Sequence, residues 1–149
     1  MGRFVSSPPF HLAFPIVDLE ATRRFYVEVL GCTVGREAAQ WIDFDFYGHQ
    51  LSAHVRPEEC QMISKNAVDG DQVPVRHFGC VLDLERWARL RERLEAAEAD
   101  FIIEPRVRFR GRPGEQATMF IRDPSGNALE FKAFADMGQL FSPQDEDPT

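Results

Sequence analysis

HFGCVLDLE, residues 77–85, repeats the plan of HLAFPIVDLE, residues 11–20. Each stretch opens on a histidine, runs through an apolar segment, and ends in Asp-Leu-Glu ahead of a helix-like pattern. The second is one residue shorter between His and Asp. The chain holds four histidines, and two of them stand at matching places in this repeat.

The repeat extends in both directions. In the first half, HLAFPIV reads as a strand, and Asp18 follows where a carboxylate can accept from the free N–H groups of a first helical turn. In LEATRRFYVEVLG, Leu19, Phe25, Val29 and Leu30 form an apolar stripe, and Gly31 ends the helix. Short strands follow near CTVGREA, WIDFDFYG and LSAHV. In the second half, HFGCVL is the strand, Asp83 the cap and LERWARLRERLEAAEA the helix, with Trp87, Leu90, Leu94 and Ala97 as its buried stripe. Strands follow near FIIEPRV, ATMFIRD and NALEFKAF, the last two joined by a turn at DPSG, residues 123–126. The order β-α-β-β-β thus occurs twice, at an offset of about 66 residues. Residues 1–8 read as an arm, and residues 135–149 as a polar, acidic tail. One domain spans 9–134, with module one at about 9–56, a surface-loop linker at about 57–74, and module two at about 75–134.

Strands alternate faces with period two. His11, Ala13, Pro15 and Val17 oppose Leu12, Phe14 and Ile16. His77, Gly79 and Val81 oppose Phe78, Cys80 and Leu82. Ser52 and His54 oppose Leu51, Ala53 and Val55, while Ala128, Glu130, Lys132 and Phe134 oppose Leu129, Phe131 and Ala133. Each strand has a bulky apolar face and a second face with an ionisable group among small neighbours, which leaves room for a ligand. By symmetry His11 matches His77, and His54 matches Glu130. Two imidazoles and a carboxylate that converge suit Fe(II), Mn, Co, Ni or Zn, and an open 2-His-1-carboxylate face suits Fe(II) and oxygen chemistry. His49 follows Gly48 in a hairpin turn and reads as structural; Gln50 can line the His54 face.

With 149 residues, 44% of them hydrophobic, the chain suits a single core of ordinary size. A net charge of −7 argues against a general nucleic-acid binder. Cys32, Cys60 and Cys80 are too few and too scattered for a disulfide framework or a C-x-x-C zinc site, so a reducing, cytoplasmic setting is expected. No stretch approaches the roughly 20 apolar residues of a membrane span, and MGRFVSSPPF lacks the apolar centre of a signal peptide.

HLAFPIVDLEATRRFYVEVLGC, RHFGCVLDLERWARLRERL and FIRDPSGNALEFKAF resemble the vicinal oxygen chelate superfamily, which includes glyoxalase I, fosfomycin- and bleomycin-resistance proteins and extradiol dioxygenases. The resemblance covers roughly residues 9–134, and the D-P-S-G-N-x-L-E-F run is its most specific part. It implies an α+β fold of two paired βαβββ modules forming a curved, cup-like mixed sheet with helices outside. It also implies a divalent metal on His11, His77 and Glu130, with His54 at the remaining first-module position, and a homodimer. His-His-Glu looks most similar to the Fe(II) extradiol enzymes.

The resemblance therefore implies ring cleavage with O2 of a small substrate that chelates through adjacent oxygens. A metal-dependent lyase or isomerase is the alternative, and a ligand-sequestering resistance protein a third. His54 is either a fourth ligand or, with Tyr47, an acid/base. Asp43 and Asp45 alternate with Ile42, Phe44 and Phe46 and either face the cup or are solvated. Arg108, Arg110 and Arg112, in VRFRGRPGEQ, form either a lid that recognises an acid group or a solvated hairpin. Trp41 and Phe109 are candidate aromatic walls.

Overall fold

A computed structural model describes residues 7–60, 65–68 and 71–143. Most of the expected arm, and the tail from residue 144 on, lie outside these residues. The chain divides into two compact units. The first contains β1 (His11–Ile16), α1 (Leu19–Arg24), a π-helical continuation (Phe25–Val29), β2 (Thr33–Ala38), β3 (Trp41–Phe46) and β4 (His49–Val55), and also takes in the turn Asp123–Asn127. The second contains β5 (Lys65–Val68), β6 (Asp71–Pro74), β7 (His77–Leu82), α2 (Leu84–Ala96), β8 (Asp100–Arg108), β9 (Gln116–Arg122) and β10 (Ala128–Phe134). Each unit has one four-stranded mixed sheet, in the orders β1-β4-β3-β2 and β7-β10-β9-β8. In both, the first and last strands of the βαβββ module pair in parallel and the remaining pairs are antiparallel.

Both helices start as the sequence predicts. The Asp18 carboxylate accepts from Ala21 N and that of Asp83 from Arg86 N. The first helix then departs from expectation. Its last turn is π-helical, with Leu30 N donating to Phe25 O; of the predicted stripe Leu30 is buried and Leu19, Phe25 and Val29 are half-buried, while Thr22 and Tyr26, outside the stripe, are fully buried. A hydropathy pattern passes over Thr22 and Tyr26 because each carries a hydroxyl. Here both hydroxyls have partners: Thr22 donates to Asp18 O at 2.7 Å and Tyr26 to Asp123 Oδ2 at 3.0 Å. The Tyr26 ring stacks on Phe44 at 4.9 Å, at the centre of an apolar core with Phe14, Ile16, Ile42 and Leu51. In α2, Trp87, Leu90 and Leu94 are buried as expected, but Ala97 lies past the last turn and is exposed. Trp87 Nε1 donates to Phe131 O, which satisfies the indole inside the core.

The turn DPSG is built around a buried carboxylate. Asp123 Oδ1 accepts from Ser125 N and Asn127 N, and Oδ2 accepts from Tyr26 and from Asn127 Nδ2. Asn127 Nδ2 also donates to Pro15 O, and Ser125 Oγ accepts from Val17 N. The motif therefore serves the packing of the first unit, as well as joining β9 to β10.

The linker is a further correction. Instead of a plain surface loop, it contains a 3-10 turn at Pro57–Glu59 and a two-stranded hairpin of β5 and β6. Val73, at 1% exposure, forms a small core cluster with Ile103 and Phe120. The Pro and Asp signals suggested a loop because the strands are only four residues long.

Two substitutions test this packing. Tyr26→Phe deprives the buried Asp123 carboxylate of a donor and is expected to destabilise the protein by about 1.5–3 kcal/mol at neutral pH. Burial raises the folded pKa of Asp123 and the Tyr26 hydroxyl opposes that rise. The variant's pKa is then higher still, so its deficit, read by urea melts, narrows as pH falls and the carboxyl protonates. Gly79→Ala places a Cβ onto the Glu130 carbonyl oxygen. It is expected to cost more than about 3 kcal/mol in the same assay, because backbone on both strands must move.

Candidate functional site

The parallel pairing of β7 with β10 aligns His77 with Ala128 and Gly79 with Glu130. His77 and Glu130 therefore share a face, one step apart along it. Glycine at 79 allows β7 to approach Glu130, and Ala128 leaves space beside His77. His77, Gly79, Val81, Glu130 and Lys132 line a cleft of about 220 Å³.

His77 is held from two sides. Its Nδ1 lies 2.9 Å from Pro74 O, and its ring meets Phe120 edge to face at 5.0 Å. A carbonyl oxygen can only accept, so Nδ1 carries the proton, and in the neutral ring Nε2 keeps its lone pair. The linker hairpin thus fixes the tautomer, and its Val73 packs in the same cluster as Phe120. Nε2 lies 3.8 Å from Glu130 Oε1. The other carboxylate oxygen, Oε2, accepts from Thr118 Oγ1 at 2.8 Å. Two acceptor atoms therefore face each other at a separation that two ligands of one metal ion can take up with little movement. Bonds of ~2.1 Å at octahedral to tetrahedral angles put ligand atoms about 3–3.5 Å apart. Lys132 Nζ, 3.4 Å from Glu130 Oε1, is the cation now beside the pair.

His11 is exposed at the start of β1 and aligns with Gln50, which in turn aligns with Asp45. Among the described residues, no group of three or more His, Cys, Asp or Glu stands together as a metal site. The symmetry expected of His54 does not hold. His11 aligns with Gln50 and His77 with Ala128, so the first-module match of Glu130 is Ser52, and His54 matches Lys132. The expectation rested on each residue lying on the last strand of its module, and the hydrogen-bond register fixes the two-residue offset between them. Tyr47 sits at the opposite end of β4 from His54. With Gly48 it forms the β3–β4 turn, both at positive φ, and its partner in closing that turn is the Asp45 carboxylate, which accepts from Gly48 N. His49 Nδ1 accepts from Phe10 N, a structural role as expected.

Of the two readings left open for Asp43, the solvated one fails. Asp43 is 6% exposed and accepts from Ser52 Oγ at 2.6 Å and from Gln50 Nε2 at 3.3 Å, whereas Asp45 is exposed. Arg108 ends β8 with its guanidinium over the Phe109 ring, and Arg110 and Arg112 are exposed in the following loop. Arg108 aligns with Gln116 and that residue with Phe134, four residues beyond Glu130, or ~13 Å along the strand. The structure does not bring these arginines to the His77–Glu130 pair. Trp41 aligns with His54 and lies beneath the Arg36 guanidinium.

No curated protein matches this chain. The family described as the Glyoxalase/Bleomycin resistance protein/Dioxygenase superfamily matches residues 9–131. A crystal structure of a glyoxalase/bleomycin resistance protein/dioxygenase from Alicyclobacillus acidocaldarius is 32% identical, with 90% of this chain and 96% of that chain covered and a TM-score of 0.72. A lactoylglutathione lyase from Agrobacterium tumefaciens is 23% identical, with 93% and 99% covered and a TM-score of 0.62. A fosfomycin resistance protein from Listeria monocytogenes is 16% identical, with 87% and 94% covered and a TM-score of 0.64. The last two share the fold. Among the described residues no helix is long and apolar enough to cross a membrane. With two βαβββ modules and a family match over nearly all of both, the chain belongs to the glyoxalase/bleomycin resistance protein/dioxygenase superfamily.

Proposed function

We propose that this protein is a metal-dependent enzyme acting on a small substrate that chelates through adjacent oxygens, with His11, His77 and Glu130 as the protein ligands. The observation that carries this reading is the His77–Glu130 pair: a lone pair on Nε2 and a carboxylate oxygen face each other at 3.8 Å, each fixed from behind by Pro74 O and Thr118 Oγ1. Such backing of a ligand's far atom is how metal sites orient imidazole and carboxylate. When bound, a divalent metal acidifies a chelated hydroxyl and holds both substrate oxygens in place. Two imidazoles and one carboxylate suit Fe(II), so ring cleavage with O2 is the finer reading. A homodimer is part of the proposal.

The chain's own residues divide the remaining work. His77 presents Nε2 while Nδ1 is held on Pro74 O. Glu130 supplies Oε1 while Thr118 keeps Oε2 occupied. Lys132 offsets the Glu130 charge before a metal is loaded, and afterwards can meet an anionic substrate oxygen.

Protein purified without oxygen is expected to hold about one iron per chain by elemental analysis, lost in His77→Ala and in Glu130→Gln. Absence of metal, with none taken up on reconstitution, would overturn the reading. Metal-loaded protein is expected to consume O2 with catechol-like compounds; turnover without O2 would move the reading to a lyase or isomerase. Lys132→Gln removes a competing positive charge and is expected to tighten metal binding roughly fivefold in a competition titration. Mixing His11→Ala with Glu130→Gln protein restores some metal binding only if the ligands of one site come from two copies of the chain.

A further inference from the structure

We propose that the arginine loop after β8 is the docking surface for this chain's own acidic segment, residues 144–149, which covers Arg110 and Arg112 and keeps other multivalent anions off them. This inference goes beyond the metal reading and does not depend on it. From 106 to 112 every second residue is arginine, with no acid between them, as β8 runs into the turn before β9. From residue 133 on, by contrast, the chain has no Lys or Arg, and Asp145, Glu146 and Asp147 stand in a row. Both stretches belong to the second unit.

The loop presents its charges from a closed turn. Arg112 N donates to Phe109 O and Glu115 N to Arg112 O, both at 3.0 Å. Phe109 and Gly111 hold positive φ, 54° and 76°. Glu115 is the loop's own acid, and its carboxylate accepts from Gly111 N at 2.7 Å, so it serves to close the backbone. Arg110 and Arg112 are exposed, and among the described residues neither takes part in an ion pair. Like charges held this close repel, and an acidic segment laid across them relieves that repulsion. A turn already closed has little left to order when an anion arrives.

The path of the chain selects the occupant. Phe134 ends β10 in register with Gln116, which is in register with Arg108. One residue on, Ala135 N donates to Glu115 O at 3.0 Å, so the chain leaves the sheet bonded to the arginine loop itself. Asp136, the first acid beyond, is committed to Gly138 N in the 3-10 turn Met137–Gln139. Asp145 follows ten residues after Ala135. Even with that turn taken out, the connection spans on the order of 20 Å when extended, enough to return to Arg112. A tether this short holds the two stretches at an effective concentration in the millimolar range, so surface ion pairs that are weak one at a time become a populated contact. A free polyanion has to compete against that concentration.

The test compares the full chain, labelled with ¹⁵N, with a variant carrying Asp145→Asn, Glu146→Gln and Asp147→Asn. These substitutions are expected to shift the amides of residues 109–115 and the side-chain Nε–H signals of Arg110 and Arg112. About 0.5 M NaCl should move the wild type to the same positions, because salt screens exposed pairs. Inorganic pyrophosphate is expected to bind at the loop amides at least about fivefold more tightly in the variant. A charge-matched variant with Glu85→Gln, Glu92→Gln and Glu95→Gln on the exposed side of α2 is expected to leave the loop signals in place and to change pyrophosphate binding less than about twofold. Arg110→Gln with Arg112→Gln should in turn shift the amides of residues 145–147. Loop signals indifferent to the tail substitutions, or equal tightening of pyrophosphate by both triple variants, would overturn the proposal. So would wild-type loop shifts that grow with protein concentration, which would make the occupant a second copy's segment.

Discussion

The close approach of β7 to β10 at Gly79 is the constraint on which the candidate site depends. A side chain there would collide with the Glu130 carbonyl, so the parallel pairing exists only with glycine at this point. That pairing decides which residues of β10 share a face with His77. It aligns Glu130 one step beyond His77 and Lys132 one step further, with Ala128 as the small neighbour. Backbone geometry therefore selects the chemistry before any side-chain contact is made.

The site's second determinant comes from outside the sheet. The Pro74 carbonyl settles which nitrogen of His77 carries a proton, and Phe120 limits how the ring can turn. Both are tied to the β5–β6 hairpin, since Val73 packs with Phe120 and Ile103. A segment that joins two modules in the chain thus acts as the outer support of the His77–Glu130 pair. The Asp123 turn has a comparable double use: it connects two strands and satisfies the buried Tyr26 hydroxyl.

The sequence showed the doubled βαβββ order, both helix caps and the faces of His11, His77 and Glu130, because period-two alternation and Asp caps are local signals. It also carried the family resemblance. What it concealed depended on longer-range facts. Tyr26 looked too polar for the core because its partner lies 97 residues away. The equivalence of Glu130 with Ser52 rather than His54 follows from strand register, which spacing along one strand does not reveal. The alternation around Asp43 left its burial open, because its partners Ser52 and Gln50 lie on the neighbouring strand. The linker's short strands were masked by turn-forming residues, and with them went the only clue to the backing of His77.

The central claim is that His77 Nε2 and Glu130 Oε1 are two ligands of one cation. It is tested most directly by an anomalous-diffraction map of crystals loaded with Fe(II) or, as a stable substitute, Mn(II). The account predicts one strong peak ~2.0–2.3 Å from both atoms, with the His77 Nδ1 to Pro74 bond kept. A fully occupied metal elsewhere, or one bound while either atom stays unligated, would contradict it.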